Sequence, residues 1–184
     1  MADIKSAWEI AQEKASKLGQ LSPEEREGQR QDKCRLIGES LAENYLNHHD
    51  ISFLKDELSK HGAQDKDLIS KAAVRRLIQG IDLRYGPVLA KISQAILTLT
   101  NSATAAKTLD EIKELFQEYA EVENKERQEL EKTGGEMLHQ LRISGTAISR
   151  LNIRAKEEWQ KKLDRTAHPF DERLNFLKQE LQHC

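Results

Sequence analysis

An all-helical fold is what this sequence predicts, and three observations predict it. Apolar side chains return every three or four residues through most of the chain, the period of a helix with one buried face. Only three prolines occur, Pro23, Pro87 and Pro169, and the long stretch between the last two holds none. Strand formers never gather into an alternating run bounded by turns, the nearest approach being around Ile143. Hydrophobic residues make up 38% and charged residues 33% of the 184, a balance that gives a thin core and long, half-exposed helices. The expected all-α architecture is an N-terminal helical bundle over 1–101, then a long, coiled-coil-like antiparallel helical hairpin over 102–184 that turns near 143–149.

The elements follow in order. Ile4, Ala7, Trp8, Ala11, Ala15 and Leu18 predict a helix over about 3–18, capped by Asp3 and stopped by Gly19. Ser22-Pro23-Glu24-Glu25 supplies an N-cap, a proline in the first turn and a capping-box glutamate for the next helix. Its apolar face begins late, at Cys34, Ile37, Leu41 and Tyr45, so its first turns should be solvated. Asn47-His48-His49-Asp50 closes it, and a short helix with Phe53, Leu54 and Leu58 ends at His61-Gly62. Asp65 or Asp67 is expected to open a helix carrying Leu68, Ile69, Ala72, Ala73, Leu77 and Ile81. Tyr85-Gly86-Pro87 breaks the chain and starts a helix with Val88, Leu89, Ile92, Ala95, Ile96 and Leu99, the most apolar and therefore the one expected to be most buried; Asn101-Ser102 ends it.

Thr108-Leu109-Asp110-Glu111 reads as a second capping box opening the hairpin. Leu109, Ile112, Phe116 and Tyr119 form its seam, with Leu115 and Val122 beside it. Residues 123–129 are wholly polar before Leu130, Met137, Leu138 and Leu141 resume the seam. Gly134-Gly135 is a weak spot in this otherwise continuous helix. The return arm carries Leu151, Ala155, Trp159 and Leu163, is expected to break near Thr166-Ala167-His168-Pro169, and continues with Phe170, Leu174, Leu177 and Leu181. Trp8 and Trp159 both fall on apolar faces, where core packing is the ordinary role. A turn centred near Thr146 sets residue i opposite roughly residue 292 − i, so 123–129 faces the expected break.

Charge is segregated between the two arms. Residues 108–136 hold ten acids against four bases, a formal balance of −6, and residues 137–166 hold seven bases against three acids, a balance of +4. Two such helices suit an antiparallel pair, although exposed ion pairs are worth at most about 1 kcal/mol each, so the apolar seam must supply most of the stability.

Bulk electrostatics do not mark a nucleic-acid binder, because the net charge is only −2. Met1-Ala-Asp-Ile-Lys5 lacks the regions of a signal peptide. The most apolar window, 86–100, carries Lys91 and is shorter than the roughly 20 residues that span a bilayer. Cys34 and Cys184 do not suggest a disulfide framework, which points to a reducing cytoplasm and no membrane association.

Candidate chemistry is sparse. His48-His49-Asp50 with His61 is the one histidine cluster, but adjacent histidines on a helix point about 100° apart and no zinc-site spacing is present. A polar helix terminus explains it. Arg150, Arg154, Lys161 and Arg165 fall near one helical face, with Arg142 before the turn, a row able to track phosphates. Glu157 and Glu158 interrupt that row, and the acidic arm is an internal partner for it. Arg142, Ser144, Gly145, Thr146, Arg150 and Arg154 surround the most distinctive segment, where a glycine amide between hydroxyls and guanidinium groups suits an anion or an interaction partner. The plain alternative is an inter-helix turn whose Ser and Thr cap the next helix. No catalytic, metal or cofactor-binding residue is predicted.

Lys5-Ser-Ala-Trp-Glu-Ile-Ala-Gln-Glu-Lys14 and Ile143-Ser-Gly-Thr-Ala-Ile148 resemble segments of an uncharacterised bacterial family of all-helical proteins. That resemblance implies a bacterial cytoplasmic protein and no particular activity. Pro87-Val-Leu-Ala-Lys-Ile-Ser-Gln-Ala-Ile96, Gly134-Gly-Glu-Met137 and Pro169-Phe-Asp-Glu172 resemble, in order, motifs of GrpE-type nucleotide exchange factors, which implies a co-chaperone. Those proteins add a β-domain after the last motif and a long N-terminal coiled coil. Taken together, the expectation is a non-enzymatic helical scaffold, adaptor or self-associating protein with a protein partner or a second copy bound and no cofactor. The alternative is a nucleic-acid binder using the basic 142–165 arm.

Overall fold

The computed structural model describes residues 22–140 and 157–183. The expected helix over 3–18 with Trp8, the turn at 143–149, and Leu151 and Ala155 of the return arm lie outside them. Among the described residues the chain is all-α: α1 Pro23–His48, α2 Ile51–Ser59, α3 Ala63–Gln79, a 3-10 turn Leu83–Tyr85, α4 Gly86–Thr100, α5 Ala103–Gln140 and α6 Glu157–Gln182.

The signals at both ends of α1 act as expected. Ser22 Oγ accepts from the Glu25 amide at 3.1 Å while Glu25 Oε2 accepts from the Ser22 amide at 2.7 Å, a complete capping box. The first turns of the helix are exposed, and burial begins at Cys34 and continues through Leu41, Ala42 and Tyr45. His49 terminates α1 in the left-handed region, φ 57°, its amide returning to the Tyr45 carbonyl at 2.7 Å. Asp50 then caps α2 through the amides of Ser52 and Phe53, and Leu54 and Leu58 face the core.

α2 carries the chain back, so α1 and α3 lie parallel. Arg30 meets Asp65, Gly38 meets Ile69 and Ala73, and Glu43 meets Arg76, an offset nearly constant along both helices. Their separation is set at Gly38: a Cβ there would sit 2.5 Å from the Ile69 carbonyl oxygen and 2.7 Å from the Ala72 Cβ. The start of α3 differs from expectation. It begins at Ala63 behind Gly62 without a side-chain cap, because the Asp65 carboxylate is taken by Arg30 Nε at 2.6 Å.

Ile69, Ala73, Leu77 and Ile78 of α3 are fully buried and join Leu54, Ile92, Ile96, Ile112, Leu115 and Leu181 in one core that draws on all six helices. The Tyr45 hydroxyl crosses to α4, donating to the Lys91 carbonyl at 2.8 Å. In α4 Leu89, Ile92, Ala95 and Ile96 face the core, while Ala90 and Leu97 are exposed, because its apolar residues occupy more than one face.

α5 starts at Ala103, five residues before the expected capping box. Asn101, at φ 47°, makes a two-residue turn and Ser102 Oγ accepts from the Ala105 amide at 3.3 Å, while the Thr108 hydroxyl donates back to the Thr104 carbonyl inside the helix. The helix runs 38 residues, about 57 Å, straight through Gly134-Gly135. α6 is also unbroken, with Pro169 inside it. An interior proline costs about 3 kcal/mol. Burial of Ala167, Leu174, Leu177 and Leu181 along the same face offsets it and holds the helix in one piece.

α5 and α6 are antiparallel. Glu118 pairs with Arg173 at 2.9 Å, Tyr119 meets Phe170 edge to face at 5.4 Å, and Lys162 Nζ lies 2.7 Å from Glu126 and 3.7 Å from Glu129. These pairs fall close to the register the sequence predicts. The polar stretch 123–129 therefore faces intact helix instead of a break.

Candidate functional site

A groove with an open face lies between α4 and α5, with a volume of about 660 Å³. Leu83, Leu89, Leu109, Phe116 and Tyr119 floor it. On the α4 wall Gly86, Ala90, Ser93 and Leu97 recur at steps of four, three and four residues, one face of a helix. On the α5 wall Ala106, Lys113, Gln117 and Ala120 recur at steps of seven, four and three residues, again one face of a helix. Small residues on both walls keep the trough wide. The 3-10 turn closes one end, capped by the Asp82 carboxylate accepting from the Arg84 amide at 2.9 Å.

Leu97 is 37% exposed, and Ala90 and Ala120 are exposed as well, so the apolar surface opens to solvent along the groove's length. The stretch of α4 from Gly86 to Leu97 spans about 16 Å, roughly three turns. The polar groups present are Ser93, Asp110, Lys113, Gln117 and Glu123, and Glu123 is held by Arg127 at 2.7 Å. This is a surface for covering apolar side chains.

The exposed edge of α5 beside the groove is acidic. Asp110, Glu114 and Glu121 are spaced by four and seven residues and so form one stripe. All three are exposed and none makes an ion pair with a described residue. The acids nearer α6 are used differently, Glu118 by Arg173 and Glu126 and Glu129 by Lys162, whose proton is held more tightly for it, mainly through its bond to Glu126.

Arg142, Ser144, Gly145, Thr146, Arg150 and Arg154 lie outside the described residues. Of the basic row, Lys161 pairs with Glu157 of its own helix at 2.6 Å and Arg165 is exposed. His48 is exposed on the last turn of α1, and His49 stacks edge to face on Tyr45 at 5.9 Å with its Nδ1 buried and unbonded. Among the described residues no three His, Cys, Asp or Glu side chains could hold one metal ion, and no helix is long and apolar enough to cross a membrane.

A smaller cleft, about 390 Å³, lies where Arg26, Arg30 and Lys33 stand around Cys34 and Asp65. Burial, with the Asp65 carboxylate nearby, pushes the Cys34 thiol above its ordinary range, the reverse of what a nucleophilic cysteine needs. Arg30, chiefly through its hydrogen bond, holds Asp65 below the usual carboxylate range.

The groove is what sequence reasoning missed. Its signal was present in the small-residue steps Gly86, Ala90, Ser93 on the side of α4 flanking Ile92 and Ile96. No protein family, curated protein or solved structure matches the chain.

Proposed function

We propose that this is a non-enzymatic helical interaction protein, a scaffold or adaptor that takes a helical segment of a partner protein into the α4/α5 groove. The observation that carries this reading is the groove itself: an apolar trough three helical turns long, open among the described residues. Contiguous exposed apolar surface of this kind marks interaction sites on proteins that are otherwise well packed. A trough with small residues on both walls suits an amphipathic helix anchored at positions i, i+3, i+4 and i+7. The basic arm supports the nucleic-acid alternative less well, since Lys161 and Lys162 are already engaged by carboxylates.

Site-specific photocrosslinking in cells tests it. A benzophenone side chain at Ala90, Ser93 or Ala120 is expected to give discrete protein adducts, whereas the same group at exposed Lys55 on α2 gives none. Identical adduct patterns from both faces, or none from the groove, would overturn the reading.

A further inference from the structure

We infer that the groove takes a cationic amphipathic helix, with its apolar face on Ala90, Leu97, Phe116 and Ala120 and its basic flank over the acidic edge of α5. This rests on the reading above that the groove docks a helical segment, and it adds the chemistry of that segment. The supporting observation is charge left without an internal use. α5 places Asp110, Glu114 and Glu121 in one exposed stripe beside the opening and pairs none of them with a described residue. Asp110 and Glu114 stand four residues apart, a like-charge spacing that weakens a helix on its own. Among the described residues of α5, Lys113 and Lys125 stand near these three carboxylates, while Lys107 pairs with Glu111 and Arg127 with Glu123, so the acids outnumber the cations left for them. The edge of the groove therefore carries a net negative field, and a helix laid beside it is favoured by lysine or arginine on the adjoining flank.

The stripe also sets the spacing of the partner's charges. Asp110 and Glu114 are separated by about 6 Å along the axis and Glu114 and Glu121 by about 10.5 Å. A docked helix matches them with basic residues four and then seven apart. Long basic side chains suit this edge, because their aliphatic stems cover the apolar rim while the charged ends reach the carboxylates. The same field disfavours an acidic helix and excludes a phosphate backbone from this face.

Fluorescence anisotropy with the full chain tests the inference, using three synthetic helical peptides of about four turns. They share one leucine stripe and carry lysine, glutamine or glutamate on the flank. The lysine peptide is expected to bind at least about tenfold more tightly than the glutamate peptide, with the advantage shrinking as salt rises. Reversing the edge (Asp110→Lys, Glu114→Lys and Glu121→Lys together) should invert the order, and Ala90→Trp or Ala120→Trp, on opposite walls, should abolish binding of all three. Equal binding of the peptides, or an order unchanged by charge reversal, overturns the cationic partner while leaving the groove reading intact. Binding unaffected by either tryptophan, or no binding of any peptide, overturns both. A concentration-dependent dimer lost in Ala120→Trp would seat a second copy in the groove and overturn the inference as well.

Discussion

At the α1/α3 seam Gly38 brings two helix backbones together, whereas at the α4/α5 seam Gly86, Ala90 and Ser93 line a trough left open among the described residues. The side chains are of one kind. What differs is the opposite surface. Gly38 faces the Ile69 carbonyl and two alanines, so absent side chains become direct backbone approach and dense packing. The small residues of α4 flank the face by which Ile92 and Ile96 enter the core, and the nearest atom to a Cβ on Gly86 would be Phe116 Cδ1 at 3.8 Å. A small residue in a helix is thus a permission to approach, and the neighbour decides whether it is used.

The largest expected difference between the two seams is in truncating a leucine from each. Leu77→Ala, at a position with no exposure, should lose about 2–5 kcal/mol of unfolding free energy. Leu97→Ala, on the groove rim, should lose less, about 1–2 kcal/mol, because 37% of its surface is in water already. Denaturant titration of both variants measures this, and equal losses would mean the groove is closed in solution.

The glycines give a sharper contrast. Gly38→Ala forces a methyl group against backbone and should destabilise by about 1–3 kcal/mol despite its better helix propensity. Gly86→Ala meets only ordinary contact distances and should be neutral within about 0.5 kcal/mol. Tyr45→Phe, which removes the hydroxyl bond from α1 to the Lys91 carbonyl, should cost about 1 kcal/mol.

The smallest effect is the pH dependence of the Arg30–Asp65 pair across the sealed seam. Asp65 is held below its ordinary value in the folded state, so its contribution is present above the unfolded value of about 4 and fades as pH falls through the folded one. Wild type should therefore lose more stability than Asp65→Asn over that acid range, by an amount small enough to vanish at high salt, because both groups are exposed to solvent. Parallel acid profiles for the two proteins would show that the pair contributes nothing.

Local signals were legible wherever one residue decides the outcome alone. The Ser22–Glu25 box, the late apolar face of α1, the stops at His49 and Asn101 and the approximate register of α5 against α6 all follow from side chains acting on their own turn or on a matching seam. The misreadings involve a rival partner. Asp65 could have capped α3, but Arg30, thirty-five positions earlier, takes its carboxylate. Thr108 could have opened a helix, but Ser102 opens it first. Pro169 could have ended α6, but the buried face on both sides of it outweighs one missing hydrogen bond. The groove was illegible for the same reason: it is defined by the absence of a neighbour among the described residues, and periodicity shows which faces are apolar without showing which are covered.

The sharing of one core by all six helices has a consequence for the order of assembly. Helices α1 to α3 meet over short sequence separations, and their seam can form while the rest of the chain is unstructured. Leu181 of α6, by contrast, lines the same small cleft as Val74 and Ile78 of α3, across about a hundred intervening residues. The entropy of closing so long a loop grows only slowly with its length, so the penalty falls on the speed of docking more than on final stability. α6 is thus expected to dock on α3 late, and until it does the apolar edge of α3 is open to other chains, the condition that favours aggregation of a partly folded chain.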